Sequence, residues 1–458
     1  MKPFHKFWAW MGRWSSPQKI VLSFAAIILI GAVLLSLPVS SAGGEPMAFS
    51  NALFTSASAV CVTGITVFEL AETLSFTGQA ILLALVQIGG LGFMTVMVMV
   101  FVGVRKRVST RDRRVLGEVL SSGDMHSVVG LARQVVGFTV AIELLGAALL
   151  AVRFVPQFGW GQGLWSAVFH AVSAFCNAGF DLLGAQSLMG YIDDPLINFT
   201  IMGLVFMGGI GFIVLSNLWA WLCTRRHERP VRLSLHTRAA LWVSLGLILM
   251  GALAIGASEW SNPDTLGGQP WGVRVMASLF ASVSARTAGF YTLRPEMLLP
   301  TASFFVIVLM FIGASPASTG GGVKTTTALA LGLFVRKVMR NDEQTRLGKR
   351  SLGAEVIARA LSIFVIMIGL WLVLVLMLTL FSPPHKISLE TAMFEAMSLM
   401  STTGLMRGNL IFPATSRILM VVAMFLGRIG PLTVLIAVAS RRERKPAAKV
   451  PEDKLMVG

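Results

Sequence analysis

Four stretches decide how this chain is read: FTSASAVCVTGI from Phe54, FHAVSAFCNAGF from Phe169, FASVSARTAGF from Phe280 and FEAMSLMSTTGL from Phe394. Each runs from a phenylalanine through small residues and serine to a glycine followed by an apolar residue. The glycines are Gly64, Gly179, Gly289 and Gly404, and their separations are 115, 110 and 115 residues (179 − 64, 289 − 179, 404 − 289). That period holds one helix, loop, helix unit. The third copy is one residue shorter between phenylalanine and glycine. A second glycine recurs downstream, in QIGGLGF, FMGGIGF, FIGASPASTGGG and FLGRIGP. Gly89, Gly208, Gly313 and Gly427 follow the first glycines by 25, 29, 24 and 23 residues.

The surroundings are apolar. Of 458 residues, 55% are hydrophobic and 13% charged, and the mean hydropathy is +0.75, values that exclude an ordinary soluble domain. Long apolar spans fall at about 20–40, 75–104, 130–155, 196–222, 237–258, 302–335, 355–380 and 415–438, each long enough for a hydrocarbon core of ~30 Å. The expected fold class is an all-α polytopic membrane protein with eight crossings, built as four helix, re-entrant loop, helix units around a central pore. The repeats occupy 20–104, 130–222, 237–335 and 355–438, between a segment 1–19 and a tail 439–458. The leading MKPFHKFWAWMGRWSSPQK is too long and aromatic for a cleaved signal, so the first span is read as an anchor.

A net charge of +16 invites a nucleic-acid reading, which the distribution excludes. Lys and Arg collect in alternate connections: Lys2 to Lys19, RKRVSTRDRR from Arg105, RRHERPVR from Arg225, RKVMRNDEQTRLGKR from Arg336 and RRERK from Arg441. Glu69, Glu72, Asp181, Asp193, Asp194, Glu259 and Asp264 lie in the opposite loops. The positive-inside rule then puts both termini of a multi-pass protein in the cytoplasm, with the lipid bilayer as its partner. Cys61, Cys176 and Cys223 have no metal-ligand spacing and read as reduced packing residues. The scattered histidines form no catalytic constellation, so no enzyme is expected.

Small residues alone often serve helix packing, and the downstream glycines are open to that reading. Four matched loops on one side are harder to explain so. Around an axis they bring together Val62, Thr63 and Gly64; Asn177, Ala178 and Gly179; Thr287, Ala288 and Gly289; Thr402, Thr403 and Gly404. Glycine permits the backbone that turns successive carbonyls inward, and rings of carbonyl oxygen replace the hydration shell of a monovalent cation. No ring of carboxylates accompanies the glycines, and Glu395 lies in one loop helix only. Arg286 stands beside the third segment, where its fixed charge either holds the loop in place, pairs a nearby carboxylate or acts on conduction.

GASPASTGGGVKTTT, Gly313 to Thr327, interrupts the sixth span. It superficially resembles a phosphate-binding loop, but Val323 separates Gly322 from Lys324 and the strand context is missing. Nine apolar residues carry a helix only ~13 Å before Gly313 and Pro316 break it, and backbone freed at that depth needs water or protein partners. Gly313, Ala314, Ser315, Pro316, Ala317, Ser318, Thr319, Gly320, Gly321, Gly322 and Lys324 form the candidate gate. Lys324 either snorkels to the interface or sits as a positive barrier; Arg428, in GRIG, is read as pore-facing.

The four loops, the interrupted sixth span and GRIG resemble the KtrB/TrkH/HKT superfamily of potassium transporters over nearly the whole chain, from SPQKI near residue 16 onward. Eight spans without an extra N-terminal pair make the chain more similar to the KtrB branch. The resemblance implies potassium held at the filter carbonyls, residues 313–327 as an intramembrane gating loop, and Arg428 closing the path. It also implies a homodimer, with Gly458 as an interface candidate, and a cytoplasmic nucleotide-binding regulatory ring of RCK type, KtrA-like. Sodium dependence stays open, and so does affinity, since the residue before each glycine runs Thr, Ala, Ala, Thr. A secondary transporter for a small organic solute is the alternative; it would need mid-membrane ionisable groups, and the spans offer little beyond Glu143.

Overall fold

The structure is a computed structural model and describes residues 16–92, 125–184, 186–224, 231–348, 350–381, 387–408 and 414–439. Gly458, the tail after 439, and the basic connections from Arg105, Arg225 and Arg441 lie outside the described residues. Most of what is described is helical, and the strands named among the described residues form one two-stranded hairpin, β1 (Arg346–Leu347) and β2 (Arg350–Ser351).

The helices recur in one order: a long one, a short one, an irregular segment, then a further helix that in the second, third and fourth groups is broken in two. α1 (Ser16–Ser36), α2 (Phe49–Val60) and α3 (Phe76–Leu91) begin it. α4 (Met125–Phe158), α5 (Trp160–Phe175), α6 (Pro195–Gly209) and α7 (Phe212–Thr224) follow. Next come α8 (Leu235–Glu259), α9 (Trp271–Ser284), α10 (Pro300–Phe311) and α11 (Thr325–Arg340). The last group is α12 (Ala354–Phe381), α13 (Leu389–Ser401), α14 (Ala414–Ile429) and α15 (Pro431–Ala439).

Local chemistry marks the boundaries. Ser75, Asp194, Ser234 and Ser388 cap α3, α6, α8 and α13 by accepting from backbone N–H groups of the first turn, which would otherwise be orphaned. Pro195 and Pro300 open α6 and α10, where the missing N–H costs nothing. Among the described residues four helices are long and apolar enough to cross a membrane, within α1, α4, α8 and α12. They are the leading helices of the four groups, and they expose large apolar side chains outward, Leu253 and Trp242 both at 74%.

The second helix pairs differ from the expectation drawn from sequence. QIGGLGF, FMGGIGF and FLGRIGP read as unbroken, in contrast to the interrupted sixth span. In the structure α6 and α7 meet at 101°, with Gly211 at φ +96°. α14 stops before Gly430 at φ +90°, and α3 stops at Gly92, φ +76°. A left-handed glycine ends a helix by turning the chain off its axis; among the described residues the second and fourth groups are therefore broken as well as the third, which differs from them by the length of its insertion. The short helices α2, α5, α9 and α13 fill the centre, and their leading phenylalanines, Phe54, Phe169, Phe280 and Phe394, are at most 1% exposed.

Candidate functional site

The segments after α2, α5, α9 and α13 share one backbone. Val62, Asn177, Thr287 and Thr402 have φ of 58°, 58°, 70° and 52°, and Gly64, Gly179, Gly289 and Gly404 have 84°, 75°, 83° and 88°. Left-handed residues two apart are strained for side-chain-bearing positions, and their recurrence at equivalent places in all four segments marks a constrained geometry. Thr63, Ala178 and Thr403 donate their N–H to the carbonyls of Ser58, Ser173 and Ser398, five residues back, at 2.8–2.9 Å; Ala288 donates to Ser284, four residues back. The shorter spacing absorbs the residue that the third copy lacks.

The four segments close into a ring. A methyl group on Gly179 would lie 2.6 Å from the Ala288 oxygen, and one on Gly289 2.6 Å from the Thr403 oxygen. A methyl on Gly64 would overlap the Ala178 oxygen, and one on Gly404 the Thr63 oxygen, more deeply still. Each glycine thus abuts the carbonyl just before the glycine of the next segment, and the fourth returns to the first. Thr63, Ala178, Ala288 and Thr403 are fully buried. Such a ring can present carbonyl oxygen to a cation from four sides.

The residues from Gly313 to Thr327 lie directly beneath it. Their base is pinned by Val323 donating to Phe311 and Ala314 to Gly321. Their tip pairs with the α6–α7 break: Ser315 donates to Gly209, Thr319 to Gly208, and Phe212 to Ala317, at 2.8–3.2 Å. Two interrupted helices therefore satisfy each other's freed backbone, as burial in an apolar medium demands. Above, side chains added to Gly320 and Gly321 would overlap Thr287 and Thr402 of the ring. Only glycine lets the loop lie this close.

Three cations hold carbonyls of that loop. Arg428 bonds the carbonyls of Thr319 and Gly89, and reaches Gly90 at 3.3 Å. Lys324 folds back so that Nζ donates to the Gly320 oxygen at 2.7 Å, in place of snorkelling outward. Among the described residues Arg286 pairs no carboxylate, contrary to one of the readings above: it donates to Gly313 O at 3.2 Å and to Ser244 at 3.2 and 3.3 Å. Glu395 accepts from the Arg407 N–H at 2.7 Å, which ties the outgoing loop to α13. Glu143 pairs across helices with Gln87 at 3.2 Å, and Cys176 donates to Gln87, so this carboxyl is held within packing. Cys61 and Cys176 are free and buried, as expected.

Two contacts had no sequence signal. The Asn177 side-chain amide, oriented with its NH2 toward the loop, donates to the Thr319 hydroxyl at 2.9 Å, and that hydroxyl donates to the Phe175 oxygen at 3.2 Å, a direct link between loop and ring. The packing of Gly89, Gly208 and Gly427 was visible as small residues: a methyl on each would overlap the Val60, Phe175 or Met400 oxygen at the end of a short helix. Gly313 departs from them and faces its own loop at Gly321.

The family model for TrkH, cation transport protein, matches residues 16–446. The chain is 37% identical over 437 residues to Ktr system potassium uptake protein B of Bacillus subtilis, covering 94% of each chain. It is 34% identical over 449 residues to potassium/sodium uptake protein NtpJ of Enterococcus hirae, covering 97% of this chain and 98% of that one. The crystal structure of the potassium transporter TrkH from Vibrio parahaemolyticus has the same fold, with a TM-score of 0.70, 19% identity, and coverage of 91% of this chain and 83% of that one.

Proposed function

Because the chain belongs to the TrkH family of cation transport proteins, we propose that it takes up potassium across a cytoplasmic membrane through the ring formed by its four irregular segments. The supporting observation is the cyclic contact of Gly64, Gly179, Gly289 and Gly404 with the carbonyl before the next glycine. Carbonyl dipoles at that spacing substitute for water around a weakly hydrated monovalent ion, whereas a divalent ion calls for carboxylates. The eight-crossing arrangement of four repeats follows from counting each broken pair as one crossing, with both termini cytoplasmic.

In this reading the loop 313–327 is the gate and Arg428 its latch. Arg428 bridges Thr319 and Gly89 across the space below the ring, so the cation path is blocked by backbone and by positive charge together. Opening requires exchanging these bonds for water. The names of the Ktr system relatives support a partner component, which we assign to a cytoplasmic nucleotide-binding ring; homodimerisation through the tail at Gly458 belongs to the same proposal. NtpJ's name supports sodium as a second transported or coupling ion.

The test is growth of a potassium-uptake-deficient bacterium at limiting potassium, with rubidium-tracer uptake measured beside it. Native chain restores both, and replacing Gly404 by Ser lowers potassium preference. Uptake that is indifferent to potassium, or a solute flux independent of it, would sink the proposal in favour of the organic-solute alternative.

A further inference from the structure

A cavity of about 300 Å³ opens away from the pore, between the first turns of α8, α11 and α12 and under the β1–β2 hairpin. Its walls are Leu235 and Ala239 of α8, Leu329 and Ala330 of α11, and Val356 and Ile363 of α12. That volume lies at the lower end of ligand-holding cavities.

Four polar side chains line it, and none is a carboxylate: His236, Thr326, Thr327 and Arg359. The Nε2 of His236 is buried without a hydrogen-bond partner. Arg359 is exposed, and among the described residues its guanidinium and the two threonine hydroxyls make no side-chain bond. The hairpin at the rim carries Arg346 and Arg350, both exposed. Unspent donors beside apolar walls suit an anion that carries a hydrocarbon chain.

The location decides which one. α8 and α12 leave basic connections here, at the cytoplasmic end of the proposed topology, where basic clefts between membrane helices attract anionic headgroups. Val356 of the wall, Val335 and Val338 further along α11, and Leu361 of α12 are 47–63% exposed, so the helices that build the cavity face an apolar medium. We propose that the cavity binds an anionic phospholipid of the inner leaflet, its phosphate at Arg359, His236 and the threonines, and an acyl segment along the walls.

The site adjoins the gate, and its regulatory meaning rests on the gating reading above. Thr326 and Thr327 begin the helix that continues the loop, whose end is tied back by the Thr325 N–H to Ala314 O at 3.2 Å and by the Ser315–Thr325 hydroxyl pair at 3.0 Å. A lipid bridging α11 to α8 and α12 splints that first turn and favours the closed loop.

Native mass spectrometry of the full chain with phosphatidylglycerol or phosphatidylcholine tests binding without reference to transport. The native chain is expected to retain phosphatidylglycerol selectively. Arg359→Gln at the exposed anchor should lower retention about fivefold, the worth of one interfacial cation. Ala239→Phe, which fills the cavity and keeps the charge, should lower it as well. Rubidium uptake in phosphatidylcholine vesicles should fall when phosphatidylglycerol is added, and Arg359→Gln should abolish that fall.

Equal retention by all three proteins overturns the proposal. Displacement by millimolar inorganic phosphate assigns the cavity to a soluble anion, and retention by monomer but not dimer assigns it to a second copy; either result overturns it too. Selective, Arg359-dependent retention by a chain that conducts in no vesicle supports the lipid site while defeating the gate. The same retention with flux indifferent to phosphatidylglycerol overturns the control of the gate by lipid.

Discussion

The ring and the layer beneath it obey opposite rules. In the ring the four segments are near copies: positive φ at the same two places, a buried phenylalanine at the head of each short helix, each glycine against the next carbonyl. One layer down, the positions after Gly89, Gly208, Gly313 and Gly427 hold Gly90, Gly209, Ala314 and Arg428. One of them carries a long cation, and one group inserts an entire loop. Coordination of a spherical ion favours equivalence, whereas a single moving part requires that one position differ.

The largest predicted effect on ion preference is therefore in the ring, where a side chain meets both left-handed backbone and the neighbouring carbonyl. The left-handed conformation alone costs a side-chain-bearing residue ~1–2 kcal/mol. Gly64→Ser and Gly404→Ser, whose overlaps are deeper, should lower the potassium-to-sodium preference by about tenfold or more. Gly179→Ser and Gly289→Ser should do so less. Tracer uptake with sodium as competitor reads the order, and equal effects at all four positions would remove the geometric basis for ranking them.

For leak the latch comes first. Arg428→Ala removes bonds from a charged donor to Thr319 and Gly89, each worth ~1.5–3 kcal/mol where they exist only in the closed state. Resting leak should rise by about a hundredfold or more, with ion preference unchanged. A loss of preference without leak would place Arg428 in the ring's support and not in the gate. Thr319→Val is the finer cut: it keeps the loop carbonyl for Arg428 and deletes the hydroxyl link to Asn177. A neutral bond of ~0.5–1.5 kcal/mol gives a rise of about threefold, measured in the same vesicles.

These contacts also show where sequence legibility ends. The four loops could be aligned because their backbone demands glycine and small residues at fixed positions, and Pro316 with Gly320 to Gly322 announced the break in the sixth span. The break between α6 and α7 was written in the same alphabet, Gly209 and Gly211, yet its partner lies about a hundred residues away in Ser315, Ala317 and Thr319. Backbone pairing leaves no side-chain signature. Arg286 was visible as a charge in an apolar setting, and its acceptor, the carbonyl of Gly313, was not, because any residue supplies a carbonyl.

Symmetry fails above the ring as well, and there acid separates the quarters. Two residues after each ring glycine stand Thr66, Asp181, Tyr291 and Met406, so at that position one quarter alone carries a carboxyl. Its Oδ1 accepts from the Leu183 N–H at 3.1 Å. Burial, with a smaller contribution from the nearby Glu69 charge, raises its pKa from 3.8 to about 6. Tyr291 also feels its charge. A carboxyl raised on folding contributes stability below its unfolded pKa and loses that contribution as pH rises through the folded value, so deprotonation between about pH 4 and 6 costs stability. For conduction the sign is reversed: above pH 6 the mouth carries a negative charge that concentrates cations, and acidification to about pH 5 removes it. Uptake at limiting potassium should fall about twofold over that range, at the scale of one screened charge. Asp181→Asn should be slower at neutral pH and lose this pH step. A step that survives in Asp181→Asn would move the titrating group elsewhere and leave the mouth as uniform as the ring.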